Sequence, residues 1–154
     1  MSGHYQDQLD KARKQAEREA RRGTRKPGKY PSEKAEQVAV LKWLKMEAGL
    51  HYQDYAANQE GTYHGDEDHI RGAIARSTGA KKGRPDLEIF ARCPRFPDAR
   101  GCAIEMKSRD PARKASDDQI AWLERLSRNG WVTYCAHGSD DAIDWLKTLG
   151  FGSP

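Results

Sequence analysis

Apolar residues in this chain fall in short groups whose spacing alternates between helical and extended periods. Residues 5 to 22 (YQDQLDKARKQAEREARR) are rich in helix formers but hold only scattered apolar side chains, so a helix there has little to bury. GTRKPGKYP then interrupts it and reads as a linker over 23 to 31. Ser32 is a capping residue, and a helix is predicted over 33 to 48, closed by Gly49. At about 100° per residue Glu33, Gln37, Val40 and Leu44 share one stripe, so a face that begins polar ends in the core. LHYQDYAAN at 50 to 58 predicts a strand, DEDHIRGAIARST at 66 to 78 a second helix, and GAKKGRP a loop.

Two apolar runs follow, DLEIFA at 86 to 91 and GCAIEMKS at 101 to 108, joined by a segment with two prolines; they read as adjacent strands. Ser116 opens a helix that reaches Asn129 and stops at Gly130, WVTYCA at 131 to 136 is a short strand, and Ser139 caps a last helix, AIDWLKTL, closed by Gly150. The order αβαββαβα predicts an α/β fold with a mixed central sheet flanked by helices. Residues 1–30 form an appended basic arm and linker, and 31–154 one folded domain.

Charge sharpens that division. The chain has 27 Lys and Arg against 23 Asp and Glu, but residues 1 to 32 hold nine against four, leaving the other 122 near neutral. The basic surplus is therefore an N-terminal feature, suited to a phosphate backbone and also to a merely solvated helix. Apolar stretches such as VAVL at 38 to 41 are far below the ~20 residues that span a bilayer, so no membrane partner and a cytoplasmic location are expected. Cys93, Cys102 and Cys135 are odd in number and widely spaced, which suits reduced thiols.

The chemistry lies in the paired runs. Alternation sends Cys102, Ile104 and Met106 to one face and Glu105 and Lys107 to the other, while Leu87 and Ile89 face the core and Asp86 stands at the mouth of its strand. If the strands pair, Asp86 and Glu105 converge within one ion's width. Two carboxylates, a backbone carbonyl and waters suit Mg²⁺, and a lysine beside them adds a cation near an attacked phosphate.

Pro85-Asp86 followed by Glu105-Met106-Lys107 resembles the PD-(D/E)XK nuclease superfamily, and GAKKGRPDLEIF, CAIEMKS and SDDQIAWLERLSRNGWVTYC together resemble its VRR-NUC branch. The resemblance covers about residues 31 to 149 and implies a restriction-endonuclease-like core. It implies Asp86 and Glu105 as metal-binding carboxylates, the Met106 carbonyl as a backbone ligand and Lys107 as the catalytic lysine. Glu33 corresponds to an additional acid near the metal, directly or through water, and Gln119 to a glutamine that helps hold the site. Asn58 to Gly61 (NQEG) resembles a loop motif of the branch, with Ala57 where a proline is usual. Implied with these are an Mg²⁺- or Mn²⁺-dependent endodeoxyribonuclease that leaves a 5′-phosphate, branched or junction DNA as substrate, a homodimer, and a phage or bacterial role in repair or recombination.

Plainer readings stand beside these. Glu36 competes with Glu33 as the first-helix acid, and an acid in a first turn is favoured by the helix dipole alone. Ser116 and Gln119 form a capping box, which accounts structurally for that glutamine. Lys81, Lys82 and Arg84 are expected at phosphates because they adjoin Asp86. His64 and His69, five residues apart, share no helical face and read as surface, and the four tryptophans read as core anchors. The alternatives to a structure-specific nuclease are a catalytically silent DNA-binding module and a restriction-type duplex endonuclease.

Overall fold

The computed structural model describes residues 28–58 and 81–152. Residues 1–27 of the arm and linker, the helix expected at 66 to 78, His64, His69 and Glu60 lie outside these residues. The first helix, α1, spans Glu33–Met46, with the Ser32 hydroxyl accepting from the Ala35 amide at 3.2 Å. The strand predicted over 50 to 58 shortens to β1, Tyr55–Ala57. The Asp54 carboxylate bonds the His51 amide at 2.9 Å and the Asp54 amide bonds the His51 carbonyl, so 51 to 54 close into a turn before the chain can extend.

β2 (Leu87–Ile89) and β3 (Cys102–Lys107) follow, then helix α2 (Asp117–Arg128), β4 (Val132–His137) and helix α3 (Ser139–Thr148). The sheet order is β1-β2-β3-β4, antiparallel at the first two junctions and parallel at the last, so the expected mixed sheet is present. Leu87, Ile89, Cys102, Ile104, Met106 and Ala136 lie on its inner face and pack with Val40, Trp43 and Leu44 of α1 and Ala142 and Leu146 of α3. All three cysteines are free thiols, Cys93 and Cys102 within this core. Among the described residues no helix is long and apolar enough to cross a membrane.

Two expectations are corrected by packing. Ser139 does not cap α3; Gly138 holds the cap position at φ 94°, and Ser139 is the first helical residue. The Ser139 amide instead donates to Glu36 Oε2 at 2.8 Å, so a carboxylate from α1 serves the N-terminus of α3. A Cβ at Gly138 would come within 2.7 Å of Arg109 Cγ, which explains the glycine. Tryptophan is also divided: Trp43 is in the core and Trp145 stacks on Tyr134 at 5.0 Å, but Trp131 meets Phe90 edge-on and Trp122 donates to the Lys82 carbonyl at 3.0 Å.

Glu36 is buried, and Arg109 grips it through Nε at 2.7 Å while also reaching Asp140 at 2.8 Å. Burial alone would raise its pKa, but the Arg109 and Ser139 bonds win and hold it below the ordinary carboxylate value. Stability from this acid is therefore present above the unfolded pKa of 4.5 and lost as pH falls through the lower folded value. Glu36→Gln is expected to lower Tm at pH 7 by roughly 5 °C. Scanning calorimetry should find the gap to the wild type closing below about pH 4; an equal gap at all pH values would remove the charge from this account.

Candidate metal centre

The pairing of Leu87 with Ile104 sets the register on which Asp86 and Glu105 face each other at the next rung, on the sheet face away from α1 and α3. Asp86 is fixed at both ends. Its carbonyl accepts from the Gln37 side chain and the Asn58 amide, both at 2.8 Å, and its Oδ2 accepts from the Met106 amide at 2.8 Å. Gly83, at φ 81°, lets the loop before Asp86 lie on α2, where a Cβ would meet Asp118 at 2.8 Å.

Glu105 is 0% exposed, because α2 covers that side of β3. Lys107 Nζ donates to Glu105 Oε1 at 2.7 Å, and Gln119 Nε2 makes a second, short bond to the same oxygen. Glu105 Oε2 has no partner, the one such buried side-chain atom among the described residues. A carboxylate oxygen buried without a donor costs free energy unless a proton or a cation occupies it.

The electrostatics agree with the geometry. Burial first, then the Asp86 charge, pushes the Glu105 carboxyl up to about 7, against the lowering effect of Lys107. Asp86 is raised too, mainly by burial, although the Met106 amide and Lys107 oppose it. The two carboxyls are within hydrogen-bond reach, a contact that raises Glu105 and lowers Asp86. Burial works against the Lys107 charge, but its bond to Glu105 and the surrounding acids raise its pKa, so it is an ammonium.

The donor set fits a hard divalent cation: two facing carboxylates, one with an unpartnered oxygen, beside the Met106 backbone. Among the described residues no three His, Cys, Asp or Glu side chains gather as a cage, so any such ion takes much of its shell from water. Glu33 is exposed, yet its charge raises both Asp86 and Lys107, whereas Glu36 is committed to Arg109 and α3. Of the two first-turn acids, Glu33 is the one that acts on this cluster.

Gln119 does both things its position suggests. Its Oε1 accepts from the Ser116 amide at 2.8 Å in a complete capping box, while its Nε2 reaches Glu105. The loop cations differ among themselves. Lys82 pairs with Asp118 at 2.9 Å and Arg84 with the buried Glu88 at 2.6 Å; Lys81 is exposed and has no ion pair among the described residues. Sequence reasoning missed Glu88, which reads as a core-strand residue but faces the same side as Glu105. It also missed the hold of Gln37 and Asn58 on Asp86. Their only signal was the placement of Gln37 on the Glu33 stripe and of Asn58 at the head of NQEG.

No protein-family model and no curated protein sequence matches the chain. A solved structure described as a VRR_NUC domain protein is similar to it, with a TM-score of 0.60 and 23% identity over 80% of this chain and 90% of that one. The likeness establishes a shared mixed α/β fold.

Proposed function

We propose that the chain is an Mg²⁺- or Mn²⁺-dependent endodeoxyribonuclease that hydrolyses phosphodiester bonds. The observation that carries this reading is Glu105 Oε2, buried without a donor and facing Asp86 across the β2–β3 pair. The fold shared with a protein described as having a VRR_NUC domain supports the same reaction class. Branched or junction DNA as the preferred substrate, and a homodimer that cuts opposing strands, belong to the same proposal through the sequence resemblance.

Asp86, Glu105 and the Met106 carbonyl would hold the ion, with Glu33 bearing on it through water. When bound, a divalent cation supplies a hydrolytic water at neutral pH and offsets charge on the phosphate. The chain's own residues do the rest. Lys107 and Gln119 fix one Glu105 oxygen and so aim the other. Lys107 keeps an ammonium where negative charge accumulates on the phosphate. The Met106 amide fixes Asp86, and Glu105, its carboxyl raised by burial, would give up a proton on holding a cation.

Purified protein incubated with labelled flap, four-way junction, single-strand and duplex DNA should cut at least one of them with Mg²⁺ or Mn²⁺ and none with chelator. Absence of cutting under every metal ends the proposal. Lys107→Ala and Glu105→Gln should each slow cleavage by about 100-fold or more while DNA binding in chelator persists. Recurrent fragments at one sequence in plain duplex would instead favour a restriction-type enzyme.

The raised carboxyl also predicts a pH effect. The folded chain keeps a proton on Glu105 that the unfolded chain sheds above 4.5, so this stability is full below 4.5 and is lost as pH rises through about 7. Asp86 acts in the same direction. In chelator, Tm is expected to fall between about pH 5 and about pH 8, and Glu105→Gln to flatten that fall. Added Mn²⁺ at the upper end should raise Tm in the wild type and not in Glu105→Gln; identical profiles for the two proteins would contradict the assignment.

A further inference from the structure

The segment entering α1 and the turn after β3 line an open groove of about 610 Å³. Lys29, Tyr30 and Lys34 line one wall, Ser108 and Arg113 the other. Two of its residues relate it to the candidate centre. Ser108 follows Lys107 directly, and Glu33, which also lines the groove, is the acid whose charge reaches Asp86 and Lys107.

What sets this groove apart is the state of its charges. Elsewhere at this end of the sheet most cations are neutralised, Lys82 by Asp118, Arg84 by Glu88, Lys107 by Glu105, and Arg109 by Glu36 and Asp140, with Lys81 the exception. Lys34 and Arg113 have no carboxylate within 4.0 Å among the described residues. The groove's other acid, Asp110, spends its side chain on the Ala112 amide at 3.0 Å. Lys29 Nζ stands 5.3 Å from the centre of the Tyr30 ring, so a flat aromatic surface and a cation share the same wall.

Uncommitted cations take phosphates, and an aromatic face takes a base only where that base has left its stack. We infer that this groove receives an unpaired DNA strand next to the bond to be cut, with Lys34 and Arg113 on its phosphates and Tyr30 against a base. This rests on the nuclease reading and deepens it: the substrate enters as a single strand or a frayed end.

Fluorescence anisotropy with a labelled oligothymidylate, in chelator so that nothing is cut, tests the inference. Lys34→Ala/Arg113→Ala should weaken binding about 10-fold near ~0.1 M salt and reduce the slope of log K against log salt by about 1.4, or ~0.7 per lost phosphate contact. Tyr30→Ala should cost about 10-fold on the single strand with little change on blunt duplex, and Tyr30→Phe should bind like the wild type. Arg92→Ala removes an exposed charge on the β2–β3 connection, beyond the far end of the sheet, and serves as the control. Circular dichroism confirms that each variant is folded.

Affinity and salt slope in the double variant equal to those of Arg92→Ala would overturn the groove as a phosphate site. Equal losses on single strand and duplex from Tyr30→Ala would overturn the unpaired strand. The two readings separate cleanly. A wild type that cuts nothing, with variants that lose binding as stated, sinks the nuclease and leaves the groove. A wild type that cuts, with variants that bind as it does, has the opposite result.

Discussion

Two carboxyl groups opposed across one antiparallel rung, one of them fully out of water, form the constraint around which this molecule is arranged. Like charges so placed cannot both ionise without help. Every neighbour supplies part of that help: an amide to Asp86, an ammonium and a carboxamide to one oxygen of Glu105. The remaining oxygen is left unserved, a cost that a structural ion pair by itself does not account for.

The scaffold explains why these groups arrive together. β2 and β3 put the acids on one face because their apolar alternates, Leu87, Ile89, Ile104 and Met106, are claimed by α1 and α3 on the other. α1 serves both sides of the sheet. Its buried flank packs into the core and sends Glu36 to the start of α3, while its first turn presents Glu33 and its second Gln37 toward Asp86. α2 closes the acidic face through Gln119 and, through Trp122 and Asp118, holds the loop that leads into Asp86.

Much of this was legible in the residues themselves. Period-two alternation identified both acid-bearing strands and which side chains turn away from the core, and cap residues placed α1 and α2 within a few positions of their ends. Tertiary relations left no such trace. Nothing local in DDQIAWLERLSR says that its helix will cover Glu105. Ser139 has the chemistry of a cap, and only a carboxylate from 103 positions earlier displaced it. Glu88 occupies a strand position that periodicity assigns to the polar side, and its burial depends on Arg84 folding back over it. Short-range rules see neither helix cover nor a cap from another element.

The sheet is also uneven in depth. β1 and β2 share three paired residues, whereas β3 and β4 share six, and β1 is the edge among the described residues. Asp86 thus stands at the mouth of a three-residue strand, and Glu105 lies inside a six-residue one. A cation gripped by both would act as a rivet between the short strand and the long one, so that loading the centre and securing the sheet's narrower margin become a single event.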